Sequence, residues 1–282
     1  MRTQSVDTSP EAERVLIELI RKAPIAKRFE LVRSLTAFAI KLNKQNIREQ
    51  YSKATEQQVA ERFVLDHYNS VLANGLHSAL QKMPVHLSDT PNIINAITPI
   101  STLFRRMNIA YCLTGTIASS IYGMQRAAFD IDFIAGIGPK AIAFLLENLS
   151  STYYFDKATI KEANICKTSF EGLHIESVLR VNIHSFHTGT FAEEMYRRVQ
   201  THILTKDDKA FCIASPEDIV LTQLLEYEAG GEVADDRWNE LLGVLKVQKE
   251  TIDSSYLEQW AVTLGIGNLL RRAFEDAGIG WV

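Results

Sequence analysis

The sequence has no apolar run approaching the length of a membrane span, which argues against a transmembrane segment. Its opening residues, MRTQSVDTSPEAER, lack the apolar core of a signal segment, so the expected location is the cytoplasm. Cysteine is scarce: Cys112, Cys166 and Cys212 are odd in number and share no paired spacing. That excludes a disulfide framework and a zinc-ligand pattern, and it leaves reduced thiols in or near the core. An excess of positive charge is missing too. The net charge of −4 argues against a dedicated polyanion binder while leaving room for a local basic groove. There is neither an internal repeat nor a low-complexity tract.

What is present is the composition of a soluble globular protein, 46% hydrophobic and 23% charged. At 282 residues the chain has room for one large domain or two smaller ones. Its charge is unevenly spread. Residues 1–90 carry 13 basic against 10 acidic side chains, and residues 91–282 carry 17 against 24. The asymmetry hints at two modules.

The first of these, residues 1–85, reads as all-helical. Residues 1–8 are expected to be a flexible tail. Ser9-Pro10-Glu11 starts a helix, with serine as N-cap and proline in the first turn, and Val15, Leu16, Leu19 and Ile20 form its apolar stripe. The next helix is expected to bury Phe29, Leu31, Val32, Leu35, Phe38, Ala39 and Leu42. Thr55 with Gln58 is a capping box for a third helix with the stripe Val59, Phe63, Val64 and His67. A fourth runs from about Asn69 to Lys82. Arg14, Arg21, Lys22, Lys27, Arg28 and Arg33 are most simply a solvated face, with an acidic partner or nucleic acid as the alternative. Prolines in MPVHLSDTP (residues 83–91) mark a linker.

From residue 92 the pattern changes to alternating strands and helices, which indicates an α/β core. Within it, Ala110–Leu113 suits a buried strand, broken by Gly115-Thr116 and followed by the small residues Ala118, Ser119 and Ser120, by Gly123 and by Arg126. A second strand carries Asp130 and Asp132. Side chains alternate along a strand, so the two aspartates share a face. Adjacent carboxylates repel unless a cation neutralises them, and two oxygen donors beside a glycine turn suit Mg²⁺ bridged to phosphates. A strand ending in Gly-Thr and opening a small-residue helix brings backbone N–H groups close to a phosphate. The pair and the turn together are more specific than either alone.

These residues resemble the DNA polymerase β-like nucleotidyltransferase superfamily, which carries hG[GS], a helix, then Dh[DE]h on the next strand. The match is Leu113-Thr114-Gly115-Thr116 and Asp130-Ile131-Asp132-Phe133. The wider string G-x-x-A-S-S-x-Y-G-x-x-R-x-x-x-D-I-D looks most like small bacterial nucleotidyltransferases, including AbiEii-type toxins. The resemblance covers about residues 92–278. It implies an α/β (α+β) mixed-sheet core over 92–214 and a helical C-terminal part over 215–282. It also implies Mg²⁺ or Mn²⁺ on Asp130 and Asp132, and an NTP held by Gly115, Thr116, Ser119 and Arg126.

The family's third carboxylate, in a pattern like K-V-D-h-F, falls on Arg180-Val181-Asn182-Ile183-His184. Asn182 therefore stands where the family has a carboxylate, keeping an oxygen donor but losing the charge and basicity of a base. Glu176 and His184 are alternatives on the same strand if it is unbroken. The segment Ser215-Pro216-Glu217-Asp218 also resembles the family, but the lysine often found on the following helix is replaced by Gln223. A threonine often seen before D-h-D is replaced by Ala128.

Two functions stay open. One is NMP transfer from an NTP to a hydroxyl of tRNA, protein or a small molecule, in a toxin–antitoxin or defence setting. The other is a catalytically degenerate module that binds nucleotide or protein. The first setting implies an antitoxin partner, and the N-terminal helices offer a surface for it or for self-association.

Overall fold

The computed structural model describes residues 2–5, 7–82, 85–156, 158–160, 169–186, 190–205 and 210–280. The helices α1 (Pro10–Lys22), α2 (Ile25–Gln50), α3 (Glu56–His67), α4 (Ser70–Lys82) and α5 (Ile93–Arg106) come first. Then follow β1 (Tyr111–Thr114), α6 (Gly115–Tyr122), β2 (Asp130–Ala135), α7 (Pro139–Leu149), β3 (Tyr153–Phe155), β4 (Phe170–His174), β5 (Leu179–Ser185) and α8 (Phe191–Arg197). The chain continues through β6 (Gln200–Ile203), β7 (Ala210–Ile213), α9 (Pro216–Ala229), α10 (Asp235–Gln248), α11 (Ser254–Leu264) and α12 (Gly267–Ala277). The fold is mixed α/β, with parallel and antiparallel strand pairs. No described helix is long and apolar enough to cross a membrane.

The chain forms two compact units, each built from separated segments. One unit takes Arg33–Leu113 and Ala127–Arg197. Its strands lie in the order β3-β4-β5-β2-β1. The β2–β5 pair is parallel, and the β3–β4 and β4–β5 pairs are antiparallel. Apolar residues at alternate positions, Ile131 and Phe133 on β2 with Val181 and Ile183 on β5, are fully buried. Alternation then turns the intervening polar residues to the opposite face.

The β4–β5 turn sets the register of this unit. Val178 adopts a positive φ of 54°, a conformation rare for a β-branched residue and held by surrounding contacts. His174 Nδ1 lies 2.6 Å from Ser177 Oγ and accepts the Ser177 N–H at 3.3 Å. The ring packs edge-on against Tyr153, whose hydroxyl donates to the Ala96 carbonyl at 2.7 Å. Glu176 sits in this turn and not on the strand, which removes it as a neighbour of Asn182 along β5.

The other unit takes Met1–Val32, Thr114–Arg126 and Arg198–Val282. Here α1 turns a different face inward from the one its hydrophobicity suggests. Ile17, Ile20 and Glu13 are buried, whereas Val15, Leu16 and Leu19 are exposed. Ile17 and Ile20 pack with Val247 and Met124. Glu13 meets Lys246 at 3.2 Å with both side chains about 1% exposed, and a charge so deeply buried requires its partner. The expected tail is tied down beside them: Gln4 N donates to Glu13 Oε1 at 2.7 Å, and Arg2 N donates to the Asp276 carbonyl at 2.7 Å.

Helix α2 departs from its expected stripe in the same way. Phe29, Val32, Thr36, Ile40, Lys44 and Ile47 are buried, while Leu31, Phe38 and Leu42 are exposed. The spacing is helical, but two members are polar and satisfied. Thr36 Oγ1 accepts the Ala128 N–H at 2.9 Å, and Lys44 Nζ donates to the Ser88 carbonyl at 2.9 Å. Nor do the six basic residues of the N-terminal helices form one solvated face. Arg21 donates to the Val247 and Lys246 carbonyls, and Arg28 to those of Ala23, Arg21 and Ile121. These are carbonyls that helix ends leave without partners. In contrast, the Thr55–Gln58 capping box is present as expected, with Val59, Phe63 and Val64 buried. Cys112 is buried and Cys212 half-buried; Cys166 lies outside the described residues.

Burial lowers the His174 imidazole to about 4, whereas an unfolded histidine titrates near 6.5. Between those values the unfolded chain binds the extra proton, so stability is full above about 6.5 and falls as the pH drops toward 4. The expected loss is about 3 kcal/mol from this group. Urea midpoints of wild type and His174→Gln at pH 7.5 and 4.5 test it: the variant should lose the smaller share of its stability on acidification.

Candidate functional site

The expected carboxylates lie on β2. Asp130 and Asp132 alternate with buried Ile131 and Phe133, so both stand on one face. The parallel register sets Asp130 opposite Arg180, Asp132 opposite Asn182 and Ile134 opposite His184. Arg180 grips Asp130 with a two-pronged fork, Nε to Oδ1 at 2.7 Å and Nη2 to Oδ2 at 2.9 Å. That is the strongest geometry available to an arginine–carboxylate pair. Asn182 Nδ2 donates to Asp132 Oδ1 at 2.8 Å, and His184 Nε2 stands 4.0 Å from the same oxygen. The structure thus brings Asp130, Asp132 and Asn182 together as side-by-side neighbours.

Other residues complete this cluster. Burial alone would lower the Arg180 guanidinium, but its bonds to Asp130 and that residue's charge leave it above its ordinary value. Its guanidinium carbon lies 5.1 Å from the centre of the Tyr68 ring, within cation–π range. Tyr68 Oη donates to the Phe129 carbonyl at 2.8 Å, and burial raises its phenol. Glu171 faces Asn182 across the β4–β5 ladder, stands 4.0 Å from Arg180 and accepts from Asn69 Nδ2 at 2.9 Å. The α3–α4 junction therefore contributes Tyr68 and Asn69, which sequence reasoning assigned only to a helical module. A signal for Arg180 did exist: R-h-N on one strand repeats the two-residue spacing of D-h-D on the other.

Mg²⁺ demands near-octahedral oxygen ligation. Both Asp130 oxygens accept from Arg180, and Asn182 turns its amide N–H, not its oxygen, to Asp132. Among the described residues no group of three or more His, Cys, Asp or Glu could hold a metal ion. As arranged, the donor set does not fit Mg²⁺ or Mn²⁺. A guanidinium supplies the neutralisation that the aspartate pair requires.

The other expected residues belong to the second unit. Gly115 opens α6 with φ of 64°, a backbone conformation that glycine adopts without strain. Thr114 Oγ1 is buried and has no hydrogen-bond partner among the described residues. At the far end of α6, a Cβ on Gly123 would lie 2.7 Å from Val244 N and 2.8 Å from Gly243 C, so this glycine lets α6 lie directly against α10. One helical turn before Gly243, α10 carries Glu240.

Glu240 is the convergence point of the residues expected to hold phosphate. Its carboxylate accepts from Ser119 Oγ at 3.3 Å, from Thr116 Oγ1 at 3.4 and 3.5 Å and from Gln223 Nε2 at 3.1 Å. Arg126 Nη1 stands 3.5 Å from it, while that guanidinium also donates to the Asp236 carbonyl at 3.0 Å and to Asp236 Oδ1 at 3.2 Å. The Glu240 side chain is 14% exposed. Burial raises its carboxyl above the ordinary range, against the opposing pull of Arg126, Ser119, Arg237 and Thr116. Gln223 is 3% exposed, and its Oε1 has no partner among the described residues. Sequence reasoning missed Glu240.

No protein-family model matches this sequence, and no curated protein is similar to it. Among solved structures, the chain is similar to an antigenic nucleotidyltransferase-like protein from Paracoccidioides brasiliensis. The two are 14% identical, and the match covers 64% of this chain and 91% of that one with a TM-score of 0.41. That likeness assigns no role to any residue.

If Arg180 stands in for a cation at Asp130, Arg180→Gln leaves two carboxylates side by side and destabilises the fold at pH 7 by about 1–2 kcal/mol. Millimolar Mg²⁺ should raise the melting temperature of this variant and leave wild type unchanged. Equal responses of the two proteins would show that Arg180 does not occupy a cation's place.

Proposed function

We propose that this chain is a degenerate nucleotidyltransferase, a nucleotide-binding module in which turnover is suppressed. The observation that carries this reading is the two-pronged Arg180–Asp130 pair, which takes the oxygens that a catalytic cation would require. Asn182 supports it, since an amide cannot take a proton from an attacking hydroxyl. Nucleotide binding is supported by the convergence of Thr116, Ser119, Arg126 and Gln223 on one anionic group, as such donors converge on a phosphate.

A second reading, an active nucleotidyltransferase, is favoured by the in-register placement of Asp130, Asp132 and Asn182 on adjacent strands. In it, an acceptor hydroxyl on RNA, protein or a small molecule attacks the α-phosphorus of an NTP. The α–β phosphoanhydride bond breaks and pyrophosphate leaves. The hydroxyl proton then needs a base other than Asn182, a role this reading gives to His184, 4.0 Å from Asp132. A toxin–antitoxin or defence role, with an antitoxin as partner, belongs to this second reading and to the AbiEii-type resemblance alone.

Incubation with NTPs labelled at the α-phosphate, Mg²⁺ or Mn²⁺ and total RNA separates the two. Degeneracy predicts no label transfer by wild type but saturable NTP binding, with label appearing in Asn182→Asp combined with Arg180→Gln. Transfer by wild type that Asp132→Ala abolishes would establish the active enzyme. Absence of both transfer and NTP binding would overturn both readings.

A further inference from the structure

The groove of about 880 Å³ formed by the end of α2, α3 and α4 is open and mixes apolar side chains with Lys53, Glu61, Arg62 and His77, and nothing seated on it indicates an occupant. A smaller pocket of about 260 Å³ among Arg14, Arg21, Lys246 and Lys249 has most of its cations engaged already. Arg21 is spent on Glu18, Glu250 and two carbonyls, Lys246 on Glu13 and Lys249 on the Gly278 carbonyl.

At Glu240 the arrangement is of another kind. Two hydroxyls, an amide and a guanidinium from three separate segments aim at one carboxylate, and only one of those donors is charged. The contacts of 3.1 to 3.5 Å lie at or beyond the long end of ordinary hydrogen bonds. A carboxylate therefore underfills this cradle. One polar atom beside it, Gln223 Oε1 on a side chain 3% exposed, has no hydrogen-bond partner among the described residues, and the same holds of Thr114 Oγ1 at the residue preceding α6, a side chain 4% exposed. Buried polar atoms without partners are uncommon and point to a missing ligand or water. The N-terminus of α6, entered through Gly115, adds backbone N–H groups and the positive end of a helix dipole.

We propose that Glu240 is an internal stand-in for phosphate, occupying an oligophosphate site formed by Thr116, Ser119, Arg126 and Gln223, and that ligand binding requires its displacement. This deepens the nucleotide-binding reading, on which it rests, and supplies its control: oligophosphate competes with the Glu240 carboxylate for the same donors, so wild type binds it more weakly than the donors alone would allow. The chemistry follows from charge. A bound phosphate and an ionised Glu240 cannot share the cradle, because like charges at contact distance repel. Neutralising Glu240 without changing its shape leaves every donor in place and removes the competitor.

Calorimetric titration of the full chain with inorganic tripolyphosphate, wild type against Glu240→Gln, tests this directly. The amide is isosteric and frees the fold from a buried charge, so the variant's melting temperature should equal or exceed that of wild type. Glu240→Gln should bind tripolyphosphate at least about tenfold more tightly than wild type. Adding Arg126→Gln to it should remove most of that gain. Equal affinities for wild type and a folded Glu240→Gln would overturn the proposal, as would a gain that survives Arg126→Gln. An NTP arm keeps the two ideas apart. Tripolyphosphate bound by the variant with no NTP bound would uphold the phosphate site and end the nucleotide reading. An NTP bound equally by both proteins would uphold the nucleotide reading and remove Glu240 as its gate.

Discussion

The two-pronged contact of Arg180 with Asp130 is the interaction on which the carboxylate cluster depends. Two aspartates two residues apart on a strand cannot sit together without compensation, because alternation forces them to the same face. A parallel partner strand carrying arginine and asparagine at the same spacing meets that demand pair by pair. The β4–β5 turn is part of the device. It reverses the chain through Val178 at a positive φ, and the buried His174–Ser177 contact stabilises it. A slip of one residue would turn Arg180 and Asn182 to the opposite face and leave both aspartates without partners.

The same physical rule governs the other unit, where Glu240 collects donors from α6, from the loop after it and from α9. There too a buried ionisable group is kept by convergent partners. What differs is the quality of the fit. The Asp130 pair is short and bidentate, whereas the Glu240 contacts are long and the neighbouring Gln223 Oε1 has no partner among the described residues. Closely fitted charge reads as structure. A loose, over-provided cradle reads as a place for something larger than a carboxylate.

The sequence was most legible where a local rule is also the global one. Gly115 with the small residues after it, the D-h-D strand and the Thr55–Gln58 capping box all appear at their expected places. Each depends on neighbours within a few residues. The helix faces were less legible. In α1 and α2 several leucines and Phe38 are exposed, while the buried stripes include Glu13, Thr36 and Lys44. A polar residue can lie in a core only when a distant partner satisfies it, and periodicity alone does not see that partner.

By itself, then, the sequence determined the α/β alternation, the shared face of Asp130 and Asp132 and the glycine-opened helix, since these follow from backbone geometry over short spans. Only the tertiary structure decided who meets those side chains. The register of β5 assigned Arg180 and Asn182 to the aspartates, and the close approach of α10 at Gly123 gave Glu240 to Thr116 and Ser119. The physical reason is separation along the chain. Those partners lie 50 residues from the aspartates and more than 100 from the hydroxyls, and contacts of that span are fixed by packing and strand pairing, not by local preference.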